Sequence, residues 1–209
     1  IALFGQYAEN VYFGKPCGLM DQMACSVGNL VYIDFANPYS PEVEKIELDM
    51  GQYGYSLCIT DTKGSHADLT DEYAAVPKEM KMVAKYFDKE VLREVSLQDV
   101  LKEINNLRAE LGDRCVLRAL HFINENNRVR QEVELLKKGD FEGFLKCVKE
   151  SGDSSYKYLQ NVYTNSNVQS QNVSIALATS DIILQENGVS RVHGGGFAGT
   201  IQAFVKNDC

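Results

Sequence analysis

The chain has 209 residues, 44% of them hydrophobic and 24% charged, with a formal net charge of −8. This is the composition of an ordinary globular protein with enough residues for a sizeable core. The acidic balance and the lack of a Lys/Arg run exclude a broad nucleic-acid surface, although a nucleotide needs only a local site. No apolar run approaches the ~20 residues of a membrane span. The six cysteines (Cys17, Cys25, Cys58, Cys115, Cys147 and Cys209) are scattered, with no Cys-x-x-Cys pair. Without a recognisable signal peptide, reduced and mostly buried thiols in a cytoplasmic protein are expected.

Residues 1 to about 13 carry the apolar spacing of a helix already under way at Ile1, which reads as a piece of a longer chain. A loop, Lys15-Pro16-Cys17-Gly18-Leu19-Met20-Asp21-Gln22, then leads into a second helical piece. Pro16 fixes its own φ and pushes Lys15 toward extended backbone. Leu30–Phe35 has strand composition, and a weaker strand covers Glu44–Leu48. Tyr55–Thr60 reads as a short buried strand. A helix follows, capped by Asp68 or Thr70, with Pro77 predicting a kink or break near Ala74–Val76. Leu97–Leu111 is one short helical stretch. The clearest helix starts at Asp113 and ends at Lys137-Lys138-Gly139, with Arg128 and Arg130 solvated or paired at i,i+4. Asp140 caps the next helix, Val173–Asn187 forms another closed by Gly188, and Val189–Val205 reads as strand, glycine turn, strand. The class is α+β.

Among these elements a few residues can carry chemistry. Asp21 lies near a helix start among apolar neighbours, which fits either an N-cap or a positioned functional carboxylate. Gly18 permits a tight turn or close approach to a ligand. Consecutive glycines at Gly194, Gly195 and Gly196 suit either a tight strand-to-strand turn or backbone N–H groups presented to an anion. Three histidines without paired spacing do not form a zinc pattern, and no Ser/His/Asp set is recognisable.

Cys17-Gly18-Leu19-Met20-Asp21-Gln22 resembles the Cys-Gly-(Ile/Leu)-Met-Asp-Gln signature of galactokinases, members of the GHMP small-molecule kinase superfamily. His193-Gly194-Gly195-Gly196-Phe197-Ala198-Gly199 resembles that superfamily's third conserved segment. The resemblance covers essentially the whole chain. It implies a GHMP kinase-like α+β fold, with residues 1–52 ending the N-terminal domain and 53–209 belonging to the C-terminal domain. It also implies ATP-dependent phosphorylation of the 1-hydroxyl of α-D-galactose, with Asp21 as the base and the Gly18 backbone close to the sugar. Tyr73 would contact the sugar, Gly194, Gly195 and Gly196 would serve the nucleotide phosphates, and Glu9 would associate with Mg²⁺. Galactose and ATP are the partners implied, with neither nucleic acid nor membrane. The family's Arg-Ile-Gly-Glu-His stretch and its Gly/Ser-rich phosphate loop should lie upstream of Ile1, so the 209 residues alone are expected to be inactive. Asp61-Thr62-Lys63-Gly64-Ser65-His66 departs from the commoner Asn-Ser-Asn-Val-Arg-His pattern, which bears on the pairing of Tyr73. A sugar sensor without turnover and a related kinase for N-acetylgalactosamine are the alternatives.

Overall fold

The computed structural model describes residues 1–14, 17–65 and 69–209. The expectations placed on Lys15, Pro16, His66 and Asp68 lie outside the described residues. The chain divides into two units, one formed by Ile1–Asp49 with Val133–Asp140, the other by Met50–Glu132 with Phe141–Cys209.

In the first unit, α1 (Ala2–Tyr7) runs directly into a π-helical turn over Ala8–Tyr12, closed by the Phe13 N–H donating to the Ala8 carbonyl at 3.2 Å. Such turns hold one residue more than an α-turn and re-aim the side chains they carry. The next helix, α2 (Met20–Val27), stops at Gly28, whose φ of 74° suits glycine. A side chain at Gly5 would press on Gln22 Cγ at 3.3 Å, so glycine brings α1 and α2 close. The unit is completed by an antiparallel hairpin of β1 (Leu30–Asp34) and β2 (Glu42–Ile46), with Leu30 opposite Ile46. Lys137 pairs with Glu44 of that hairpin at 2.9 Å.

The second unit contains an antiparallel sheet of order β3-β5-β4, made from β3 (Tyr55–Asp61), β4 (Gly188–His193) and β5 (Thr200–Lys206). Its helices are α3 (Thr70–Tyr86), α4 (Leu97–Lys102), α5 (Ile104–Leu111), α6 (Asp113–Lys137), α7 (Phe141–Ser154) and α8 (Asn172–Leu184). The last residues of α6 belong to the first unit. Val83, Ala84, Val100, Leu107, Val116 and Ala119 form a helical core. Val162, Val173, Val192 and Ile201 make a smaller core at the sheet. The architecture is α+β, as the residue pattern predicts. Among the described residues no helix is long and apolar enough to cross a membrane.

Several expectations are corrected. α3 is unbroken through Pro77. One backbone hydrogen bond is lost there by chemistry, but tertiary contacts hold both halves: Tyr73 and Val76 against Phe197 on one side, Val83 and Ala84 in the core on the other. Leu97–Leu111 is two helices separated at Glu103, the first capped by Ser96 Oγ accepting from the Asp99 N–H at 3.1 Å. β3 buries only Tyr55, because it is an edge strand with one neighbour. α8 ends at Leu184, and Gly188 opens β4 instead of closing the helix, its missing side chain making room for the Phe204 carbonyl. All six cysteines are free, but only Cys115 and Cys147 are buried. Arg128 is neither solvated nor part of an i,i+4 pair. Its side chain is 14% exposed and pairs with Glu125, three residues earlier.

Two sets of ionic groups lie inside the second unit. The Arg118 side chain is fully buried, and its guanidinium donates to Glu79 at 2.9 Å and to the Leu159 carbonyl at 3.0 Å. Arg114 forks onto the same Glu79 and reaches Glu72, which accepts from the Thr164 hydroxyl at 2.6 Å. Farther along α6, His121, Glu125, Arg128 and Glu132 recur at helical spacing. His121 Nδ1 bonds Ser154 at 2.9 Å, and Glu125 accepts from Ser151. Burial, with Glu125 adding repulsion, pushes the Glu132 carboxyl up to about 7, partly opposed by Arg191 and Arg128. Burial also lowers the His121 pKa.

Removing Glu79 leaves an uncompensated buried guanidinium. Glu79→Ala is expected to cost the intact protein about 3–5 kcal/mol in urea unfolding. For Glu132 the folded state holds its proton more tightly than the unfolded chain does. That contribution is present below pH 4.5 and is lost as pH rises through about 7. His121, its pKa lowered, acts oppositely by losing stability as pH falls through its unfolded value. Glu132→Gln is therefore expected to raise Tm over the natural protein at pH 8 and to leave it unchanged at pH 4, in parallel thermal scans.

Candidate functional site

The sequence-predicted residues fall into two sets, one in each unit. In the first unit α2 begins at Met20, and its N-cap position is Leu19, a buried apolar residue that makes no side-chain cap bond. Asp21 is the second helical residue. It is exposed, and no donor among the described residues reaches its carboxylate. The capping role open to it in the sequence is therefore not the one it fills. Its charge still lies favourably in the first turn of the helix. Gly18 is exposed, with nothing within 4 Å of where a side chain would begin, so the backbone is open to a ligand on that side.

The loop before Asp21 is tied down by three polar side chains. The Cys17 N–H donates to Asn10 Oδ1 at 2.8 Å, and Gln6 Nε2 donates to the Cys17 carbonyl at 3.2 Å. Gln22 Nε2 donates to Cys17 Sγ at 3.4 Å and to Glu9 Oε1 at 2.8 Å. The π-helical turn places Glu9 for this bond, half-buried beside the residue that follows Asp21. Thus Glu9 is brought together with Gln22, the residue after Asp21.

In the second unit Tyr73 meets the glycine run. Its hydroxyl donates to the Gly196 carbonyl at 2.7 Å, and its ring lies edge-on to Phe197, 5.2 Å between centroids. Burial raises the phenol pKa. A side chain at Gly195 would begin 3.1 Å from that ring. Gly196, with φ 83°, has a second constraint, since a methyl group there would overlap the Asn161 carbonyl. That carbonyl accepts from the Phe197 N–H at 2.5 Å, while Asn161 Nδ2 donates to the Gly195 carbonyl at 3.1 Å. Gly194 differs, having φ 70° but open space around it. The Gly199 carbonyl closes the turn by accepting from the Thr62 N–H at 2.8 Å and the Thr62 hydroxyl at 2.7 Å. Tyr73 therefore braces the glycine turn, and Gly194 is the member of the run with room for a ligand.

Two participants escape the sequence reading. Gln22 lies within the motif, but its bond to Glu9 depends on a π-turn that apolar spacing does not reveal. Asn161 sits in a polar loop with no local signal, its role set by a contact 35 residues away in the chain.

No family model matches the chain. A galactokinase of Glaesserella parasuis is 29% identical over 208 residues, covering 100% of this chain and 51% of the relative. Another, from Actinobacillus pleuropneumoniae, is 30% identical over 205 residues, covering 98% and 50%. The crystal structure of Lactococcus lactis galactokinase complexed with galactose superposes with a TM-score of 0.69 at 25% identity, covering 99% of this chain and 51% of that one. The chain resembles galactokinases from end to end. It spans about half the length of the galactokinases it matches. The galactokinase-like signature holds the Glu9–Gln22 contact, and the glycine segment holds the Tyr73 contact.

The different surroundings of the glycines make a sharp test. Gly196→Ala is expected to prevent folding of the second unit or to lower Tm by more than ten degrees, through a steric clash that backbone adjustment cannot relieve. Gly194→Ala meets only the strain of positive φ, about 1 kcal/mol, and is expected to fold, as circular dichroism melts of the two variants would show.

Proposed function

We propose that this chain serves a galactokinase, which transfers the γ-phosphoryl group of MgATP to the 1-hydroxyl of α-D-galactose. The observation that carries the reading is the exposed Asp21 carboxylate, placed in the first turn of α2 within the signature residues and not spent on the helix end. Phosphoryl transfer needs the acceptor hydroxyl oriented in line and its proton accepted, and a carboxylate so placed can do both. Gly18, with open space beside it, lets the sugar approach the backbone. Tyr73 offers its ring edge and the oxygen of its hydroxyl while bracing the glycine turn. Gly194, Gly195 and Gly196 are assigned to the nucleotide phosphates, with Gly194 the most accessible.

Glu9 is assigned to the Mg²⁺ that accompanies ATP. Among the described residues no group of three or more His, Cys, Asp or Glu gathers as a metal cage. One carboxylate fits this ion, because Mg²⁺ on a nucleotide takes most of its ligands from phosphates and water. The metal supplies charge neutralisation on the phosphates, while the chain's own residues position the sugar and accept its proton. The Pro-x-x-x-Gly-Leu-Ser-Ser-Ser-type phosphate loop does not occur in these 209 residues, so turnover is assigned to the intact protein and not to this chain by itself. Six free thiols suit the reducing cytoplasm.

In the intact protein, Asp21→Asn is expected to lower galactose-dependent ATP consumption by roughly 10²–10⁴-fold with Tm unchanged, in a coupled assay. Turnover retained in Asp21→Asn overturns the assignment of the base. A natural protein that binds galactose without consuming ATP would instead be a sensor.

A further inference from the structure

The signature motif ends in Gln22, whose side-chain bonds among the described residues go neither to the loop's open side at Gly18 nor to the Asp21 carboxylate. Its amide is unusually constrained. Nε2 bridges Glu9 Oε1 at 2.8 Å and Cys17 Sγ at 3.4 Å, while Oε1 is buried and finds no donor among the described residues. Turning the amide over would set its oxygen against the Glu9 carboxylate, so the bond to Glu9 fixes the orientation at the expense of an unpaired carbonyl oxygen. Gly5 packs its bare backbone against Gln22 Cγ, which keeps the stem from swinging away. A carboxylate held at one oxygen by an amide N–H keeps its charge and loses freedom about its terminal torsion. This is how partners of metal-ligating groups act on affinity.

We propose that Gln22 is the positioning residue for Glu9, holding its carboxylate in the orientation that receives the divalent cation of the nucleotide. The inference rests on the metal role assigned to Glu9 under Proposed function. It couples that site to the base, since Gln22 follows Asp21 directly and is anchored through Cys17 to the loop that precedes it. A disturbance at Gln22 therefore reaches the metal before it reaches the sugar.

The test uses the intact protein with ADP and Mn²⁺ as the paramagnetic probe, free Mn²⁺ being read by electron spin resonance. Gln22→Met keeps length and volume but has no N–H. Its Mn²⁺ affinity is expected to fall roughly tenfold, the lower end of losses on removing such a partner, with Tm and galactose affinity unchanged. Glu9→Gln is expected to lose at least as much, and the double variant no more than Glu9→Gln alone. If Gln22→Met lowers Tm by more than about 5 °C, Gln22→Asn, whose amide is one methylene too short to reach Glu9, is read in its place with the same expectation. Natural Mn²⁺ affinity in the Gln22 variant, or losses that add in the double variant, overturn the positioning role while leaving Glu9 its own. Natural affinity in Glu9→Gln overturns the metal assignment itself, and this inference with it.

Discussion

A guanidinium with no exposure to solvent organises the second unit. Arg118 gives one N–H to Glu79 on α3 and another to the Leu159 carbonyl, so a single side chain of α6 fixes both a helix and the start of the 159–164 segment. Burying such a charge is tolerable only when its partners are in place. That segment is fastened again at Thr164 through Glu72 and Arg114. Between its two fastenings stands Asn161, whose backbone oxygen and side-chain amide shape the glycine turn. The turn's geometry thus depends on charges more than thirty residues away in sequence.

The first unit reaches comparable order by different means. Its residues around the signature are held by neutral amides: Gln6 and Asn10 on Cys17, and Gln22 on Cys17 and Glu9. Neutral hydrogen bonds fix the described part of the loop, and Gln22 holds Glu9 through an amide N–H.

Much of this was legible in the residues. Elements with strong local signals, such as the helix from Asp113 to Lys137 and the final strand–turn–strand, lie where spacing and capping put them. The α+β class followed from dominant helices with strands scattered through the chain. What was not legible depended on contacts distant in sequence. Pro77 predicts a break from local sterics alone, whereas packing on both sides keeps α3 whole. Strand β3 has the composition of a buried strand but lies at a sheet edge, a matter of topology. Arg128 has Glu125 three residues before it, but nothing local to say that Glu150 of the next helix will also approach it. For the site, the motif supplied the residues that are proposed, while the clamp of Asn161 on Gly196 had no signature to find.

The π-turn at Ala8–Tyr12 has a consequence for how such chains can change over time. A π-turn carries one residue more than an α-turn over nearly the same rotation, so removing one residue between Ala8 and Tyr12 would restore an ordinary helix with α1 still in place. Side chains within the turn would change face by about 100°. Gly5 would keep its seat on Gln22, but Glu9 and Asn10 could not both keep their bonds to Gln22 and Cys17. Insertions and deletions, commonly harmless in a loop, are thus costly here. The count of residues in this turn is under as much constraint as their identity.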